Sequence, residues 1–246
     1  MVKDRVYALD ELRGLMLIAI VLYHLGYDLA VFTSLKMDWF WGDTVSILRY
    51  ISAGTLMAVS GVSCSLSRSN FKRGLKIFGL GLLITAVSYF AMPDQVIVFG
   101  VLHYFGTMIL LFWLARPLIE AIPPLWGGAA CILFFYLTYY IPSGYVQFLQ
   151  FKLALPSFLY NWGGLFWLGM PAQGFISSDY YPLLPWGWLF LLGAFMGLYC
   201  KRHGFPRWST RQRSSMLSII GKNTMIIYLV HQPLFLGLLF LIGAAF

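Results

Sequence analysis

Long apolar runs, separated by short connections, constrain this 246-residue chain more than any other feature. Each run is roughly 17 to 25 residues, the length that carries a helix across a bilayer core at a rise of about 1.5 Å per residue. The spacing predicts seven spans, over Leu12 to Phe32, Thr44 to Leu66, Gly74 to Met92, Val96 to Leu118, Trp126 to Ile141, Pro182 to Cys200 and Gly221 to Ala244. Only 11% of residues are charged, against about a quarter in soluble domains. The expected fold is therefore all-α, a polytopic transmembrane helix bundle forming a single domain over 1–246. The stretch from Met1 to Glu11 has the charge of a leader, but no small-residue cleavage site follows Tyr23 to Phe32, so the first run is read as a retained span.

The net charge of +8 raises the question of nucleic acid. The basic residues, however, sit in the connections, where they act on topology. With the N-terminus inside, every Lys and Arg except Lys36, Arg49 and Lys152 falls on the cytoplasmic side. The positive-inside rule thus predicts a cytoplasmic N-terminus and an outer C-terminus, and no nucleic-acid partner. The one long connection, Pro142 to Tyr181, then lies outside, too aromatic for a free linker, and is expected to be re-entrant or interfacial. Cys64, Cys131 and Cys200 show no metal-ligand spacing and read as packed thiols, with no metal expected.

Ionisable side chains inside spans are costly, about 2.5 to 3.5 kcal/mol each on insertion scales, and normally face a polar interior. Arg13 and His24 are eleven positions apart on the first span, close to one helical face. Asp28, four residues beyond His24, is expected to accept an imidazole proton and orient the ring. The equally open structural alternative is a His–Asp pair that only ties helices together. Arg49 enters the second span from its outer end, and His103 and His231 lie in the fourth and seventh. Pro233 beside His231 leaves a carbonyl without its helical donor and favours a kink. His24, Asp28, Arg49, His103 and His231 are expected to share the outer half of the bundle. Asp179, Tyr180 and Trp186 bring a carboxylate, a phenol and an indole to the outer mouth. His203, in a basic loop, is read as solvated.

Leu12-Arg13-Gly14 with His24, the run from Asp179 to Trp186, and Gly221-Lys222-Asn223-Thr224 through His231-Gln232-Pro233 together resemble the bacterial branch of the heparan-α-glucosaminide N-acetyltransferase-like family. Arg13 and His24 also match the Arg-x10-His pattern of the wider transmembrane acyltransferase superfamily. The resemblance implies transfer of an acetyl or other short acyl group from cytoplasmic acyl-CoA, with acetyl-CoA as donor, to an amino-sugar or glycan acceptor at the outer face. It further implies a bacterial inner-membrane setting, contact with membrane lipids, and leaves room for a homodimer. On this reading His24, Asp28 and His231 are catalytic. Arg13, Arg68, Lys72 and Arg73 hold the donor, and Arg49, His103, Asp179, Tyr180 and Trp186 contact the acceptor. The chain departs from the larger lysosomal members, which place a histidine in the loop after the first span, where Leu35 stands here; this argues against heparan sulfate itself. A proton-coupled transporter or flippase and a non-catalytic assembly partner remain the alternatives.

Overall fold

The computed structural model describes residues 5–241. Lys3 and the last residues of the seventh expected span, 242–244, lie outside the described residues. Among the described residues seven helical segments are long and apolar enough to cross a membrane: Tyr7–Phe32, Asp43–Leu66, Asn70–Ala91, Val101–Ala121, Pro124–Ser143, Leu183–His203 and Thr224–Leu241. Two compact units divide the chain, Met1–Val59 with Gly204–Phe246, and Ser60–His203.

The first unit holds α1 (Tyr7–Phe32), the beginning of α2 (Asp43–Leu66), α8 (Ser215–Lys222) and α9 (Thr224–Leu241). The first helix starts five residues before the apolar run, because its charges are satisfied. Buried Asp10 accepts from Arg5 and from Arg13, at 2.8 and 2.9 Å, and its negative charge complements the N-terminal end of the helix dipole. Glu11 Oε1 accepts the backbone N–H groups of Arg213 (2.6 Å) and Ser214 (2.9 Å), donors left open at the start of α8. Ser214 caps the same helix through Leu217 N–H. The two helices cross at backbone contact, since a Cβ on Gly14 would meet the Leu217 carbonyl and one on Gly221 the Asp10 carbonyl. The seventh expected span corresponds to α9, which starts three residues later, at Thr224, because the backbone of Asn223 leaves the helical region and separates it from the unforeseen α8. Thr224 Oγ1 donates to Gly221 O across the break. Helix α9 continues through Pro233.

The second unit takes α2 from Ser60 onward, then α3 (Asn70–Ala91), α4 (Val101–Ala121), α5 (Pro124–Thr138), a hairpin of β1 (Tyr145–Phe148) and β2 (Phe151–Ala154), the short α6 (Phe158–Asn161) and α7 (Leu183–His203). Glycines set the close approaches: Gly106 against the Phe78 backbone, and Gly197 against Ser65 and Val62. The latter is the tight contact expected of a small residue in the sixth span. The fourth helix begins at Val101 rather than Val96. The residues before it run as a connecting strap, bonded through Val96 O to Ser178 N–H (3.0 Å) and through Phe99 O to Tyr181 N–H (3.1 Å).

The connection after α5 has the outer segment's expected aromatic character but also an unforeseen antiparallel hairpin, pairing Tyr145 with Ala154 and Phe148 with Phe151. Its turn puts Leu149 at φ 53°, the positive range that two-residue hairpin loops require. Further along, the Tyr160 hydroxyl donates to Ile141 O and that of Tyr180 to Phe166 O. Burial raises both phenols above their ordinary pKa, and Tyr180 is raised further by neighbouring Tyr160. Both therefore stay protonated, as donors.

Candidate active site

In the first unit α1 and α9 bring His24, Asp28, His231 and Gln232 together. His24 Nδ1 lies 2.6 Å from His231 Nε2. The ring planes are within 11° and the centroids 4.9 Å apart. His231 Nδ1 faces two backbone oxygens of its own helix, Tyr228 O at 2.8 Å and Ile227 O at 3.3 Å. One turn along α1, fully buried Asp28 accepts from Gln232 Nε2 through Oδ1 at 2.6 Å. Its other oxygen, Oδ2, and Gln232 Oε1 are buried without a hydrogen-bond partner.

This changes the expected pairing. His24 and Asp28 share a face, as their spacing of four predicts, but the group bonded to the His24 ring is His231 and the group bonded to Asp28 is Gln232. Both bonds join the same two helices: residues i and i+4 of α1 meet the adjacent residues His231 and Gln232 of α9. Sequence reasoning passed over Gln232. The only signal was its place beside His231 and Pro233.

Arg49 lies with its guanidinium 4.5 Å from the Tyr50 ring centroid and 5.5 Å from that of Tyr23. Its Nη1 reaches the Tyr23 hydroxyl at 3.4 Å, and Tyr23 in turn packs on buried Phe40. Phe40 fits against Gly26, where a side chain would collide with its ring. Arginine on an aromatic shelf keeps its charge while its planar face is covered. Arg13 is ion-paired with Asp10.

In the second unit His103 is 3% exposed, wedged between Phe78 and Phe99 and against Gly81, with Nε2 3.2 Å from Thr85 Oγ1. Asp179 Oδ2 accepts from Val101 N–H at 2.8 Å, capping α4. The carbonyl of Trp186 accepts from buried Tyr104, and its indole packs on Tyr181 and Phe135. Of the basic residues, Arg68 and Lys72 are exposed. Arg73 Nη2 reaches Cys64 Sγ at 2.7 Å and Arg116 donates to Ser67 O, so two cations close the C-terminal end of α2. His203 is exposed at the end of α7. Among the described residues no group of three or more His, Cys, Asp or Glu side chains is arranged around a common point.

Two histidines bonded to each other and, one turn along, a carboxylate with one hydrogen-bonded oxygen thus lie on facing sides of α1 and α9. No curated protein and no solved structure matches the chain. A family model does, that of the heparan-alpha-glucosaminide N-acetyltransferase catalytic domain, over residues 5–233. The match takes in both units and ends at Pro233, so it contains His24, Asp28, His231 and Gln232. The chain is therefore a multi-pass membrane protein of the heparan-α-glucosaminide N-acetyltransferase catalytic-domain family, a family of membrane acetyltransferases.

Proposed function

We propose that the chain transfers an acetyl or other short acyl group from cytoplasmic acyl-CoA to an amino-sugar or glycan acceptor, with His24 as the base and Asp28 receiving an acceptor N–H or O–H. The observation that carries this reading is the pair of open acceptor atoms on one face of α1. His24 Nε2 has no hydrogen-bond partner among the described residues, and Asp28 Oδ2 is buried without one. A lone pair for a proton and a carboxylate oxygen for a donor are what acyl transfer to an amine or hydroxyl needs. Unlike a proton-relay channel, they serve a reaction that takes a proton from the acceptor and returns it to the departing thiolate.

The donor is acetyl-CoA on this reading. Arg13, with Arg68, Lys72 and Arg73, is proposed to bind its phosphates, and Arg49, His103, Asp179, Tyr180 and Trp186 the acceptor. The N-terminus is assigned to the cytoplasm by the charge bias of the connections.

The experiment is acetyl-CoA consumption by the purified protein in detergent, with glucosamine as soluble acceptor. His24→Gln keeps a hydrogen-bonding side chain but takes up no proton, so turnover should fall about 10²-fold or more while expression and CoA binding persist. A folded His24→Gln protein turning over at the wild-type rate overturns the assignment of His24. A wild-type protein that consumes no acetyl-CoA with any amino-sugar or glycan overturns the activity.

A further inference from the structure

The hydrogen bonds of the histidine pair determine where its protons must be. Among the described residues His231 Nδ1 has two hydrogen-bond partners, both carbonyl oxygens, Tyr228 O at 2.8 Å and Ile227 O at 3.3 Å. A carbonyl oxygen cannot donate, so the contact is a hydrogen bond only if Nδ1 carries the proton. In neutral imidazole the other nitrogen is then bare. Nε2 of His231 is thus an acceptor, and the nitrogen 2.6 Å from it, His24 Nδ1, must be the donor. That leaves His24 Nε2 with its lone pair.

The ring arrangement agrees. Atoms facing each other across stacked rings stay about 3.5 Å apart or more, whereas these nitrogens are 2.6 Å apart with ring planes within 11°. The rings therefore meet edge to edge and nearly coplanar, which points the Nδ1–H of His24 along the in-plane lone pair of His231. The helix supplies the anchor: Tyr228 and His231 are three residues apart on α9, so the carbonyl that sets the relay belongs to a rigid backbone.

We propose that His231 is a positioning residue which, anchored on the Tyr228 carbonyl, locks His24 in the Nδ1–H tautomer and exposes Nε2 as the reacting nitrogen. This rests on the acyl-transfer reading for its consequence but not for its geometry. In the reaction, the acceptor nitrogen or oxygen forms its bond to the acyl carbon as the carbon–sulfur bond breaks. His24 Nε2 takes the acceptor proton and then gives it to the CoA thiolate. Between those events the His24 imidazolium keeps its Nδ1–H on neutral His231, whose ring stabilises the charge as an acid does in a hydrolase triad. A neutral ring in that place avoids burying a second full charge in the bilayer.

The test is ¹⁵N NMR of histidine-labelled protein in nanodiscs, with turnover measured in parallel. The chain has only four histidines, so His24 is assigned from His24→Gln. Wild-type His24 should show a protonated Nδ1 and a bare Nε2. His231→Phe keeps the ring shape and removes the acceptor, and should give mixed tautomers at His24 with turnover lowered about 10²-fold. His231→Gln offers a side-chain carbonyl to the same proton and should restore the Nδ1–H form and part of the rate. A wild-type His24 protonated on Nε2 overturns the proposal, as does a His231→Phe protein with the wild-type tautomer. If the tautomer behaves as stated but wild-type protein acetylates nothing, the relay stands and the activity falls.

Discussion

Asp28 holds one oxygen against the Gln232 amide and leaves the other unpartnered in a fully buried position, so its bond to Gln232 and its proposed contact with the acceptor are tested by separate variants. Asp28→Asn retains an oxygen for the Gln232 amide and replaces the open acceptor with an N–H donor. It should fold normally and raise the KM for glucosamine about tenfold or more, since hydrogen bonds to charged groups contribute about 1.5–3 kcal/mol; steady-state kinetics at varied acceptor read this. Gln232→Leu instead strands a buried carboxylate oxygen, and should lower stability by about 1–3 kcal/mol in a denaturant titration of the micellar protein. The spacing of His24 and Asp28 made both visible as candidates in the sequence. Their partners were not visible, because His231 and Gln232 are 207 and 204 positions away. Only the packing of α1 on α9 selects which side chain of α9 meets His24 and which meets Asp28.

Helices were legible to the extent that apolar length determines them. All seven spans appear, while their ends follow capping chemistry that hydropathy does not contain. The Asp10 cluster pulls the start of α1 back to Tyr7, and the break at Asn223 moves the start of the last span from Gly221 to Thr224, behind the unforeseen α8. The crossing of α1 on α8 allows a test whose sign is informative. Alanine in place of a helical glycine normally gains about 0.5–1 kcal/mol, but a Cβ on Gly14 would meet the Leu217 carbonyl. Overpacking of that kind costs about 1–3 kcal/mol. Gly14→Ala should therefore lower the thermal midpoint in detergent, whereas the same change at Gly79, where nothing lies within reach of a Cβ, should raise it or leave it unmoved. Asp179 can be separated from its acceptor role at this scale. Loss of its cap on α4 in Asp179→Ala should cost about 0.5–2 kcal/mol, and Asp179→Asn, an equally good cap, should restore stability. Acceptor binding that fails to return in Asp179→Asn would show that the carboxylate charge matters beyond the cap.

For the molecule as a whole, the family match runs through both compact units, so neither unit alone accounts for the domain recognised from the sequence. The proposed orientation is tested with single cysteines in a background lacking Cys64, Cys131 and Cys200. A membrane-impermeant maleimide added to intact cells should label Lys152→Cys and spare Lys201→Cys, and the reverse pattern would invert the topology. The short bond between the two imidazoles has an electrical consequence. A charge crossing the whole bilayer feels about 2.3 kcal/mol per 100 mV, but in the proposed reaction the proton between His24 and His231 stays on His24, and even its full transfer would span at most 2.6 Å of a hydrocarbon layer about 30 Å thick. Aligned with the membrane normal, such a transfer would sense roughly a tenth of the field, about 0.2 kcal/mol per 100 mV. Acetylation in proteoliposomes should then run at nearly the same rate with or without an imposed diffusion potential, the behaviour of an electrically silent catalyst and the opposite of a proton-driven carrier.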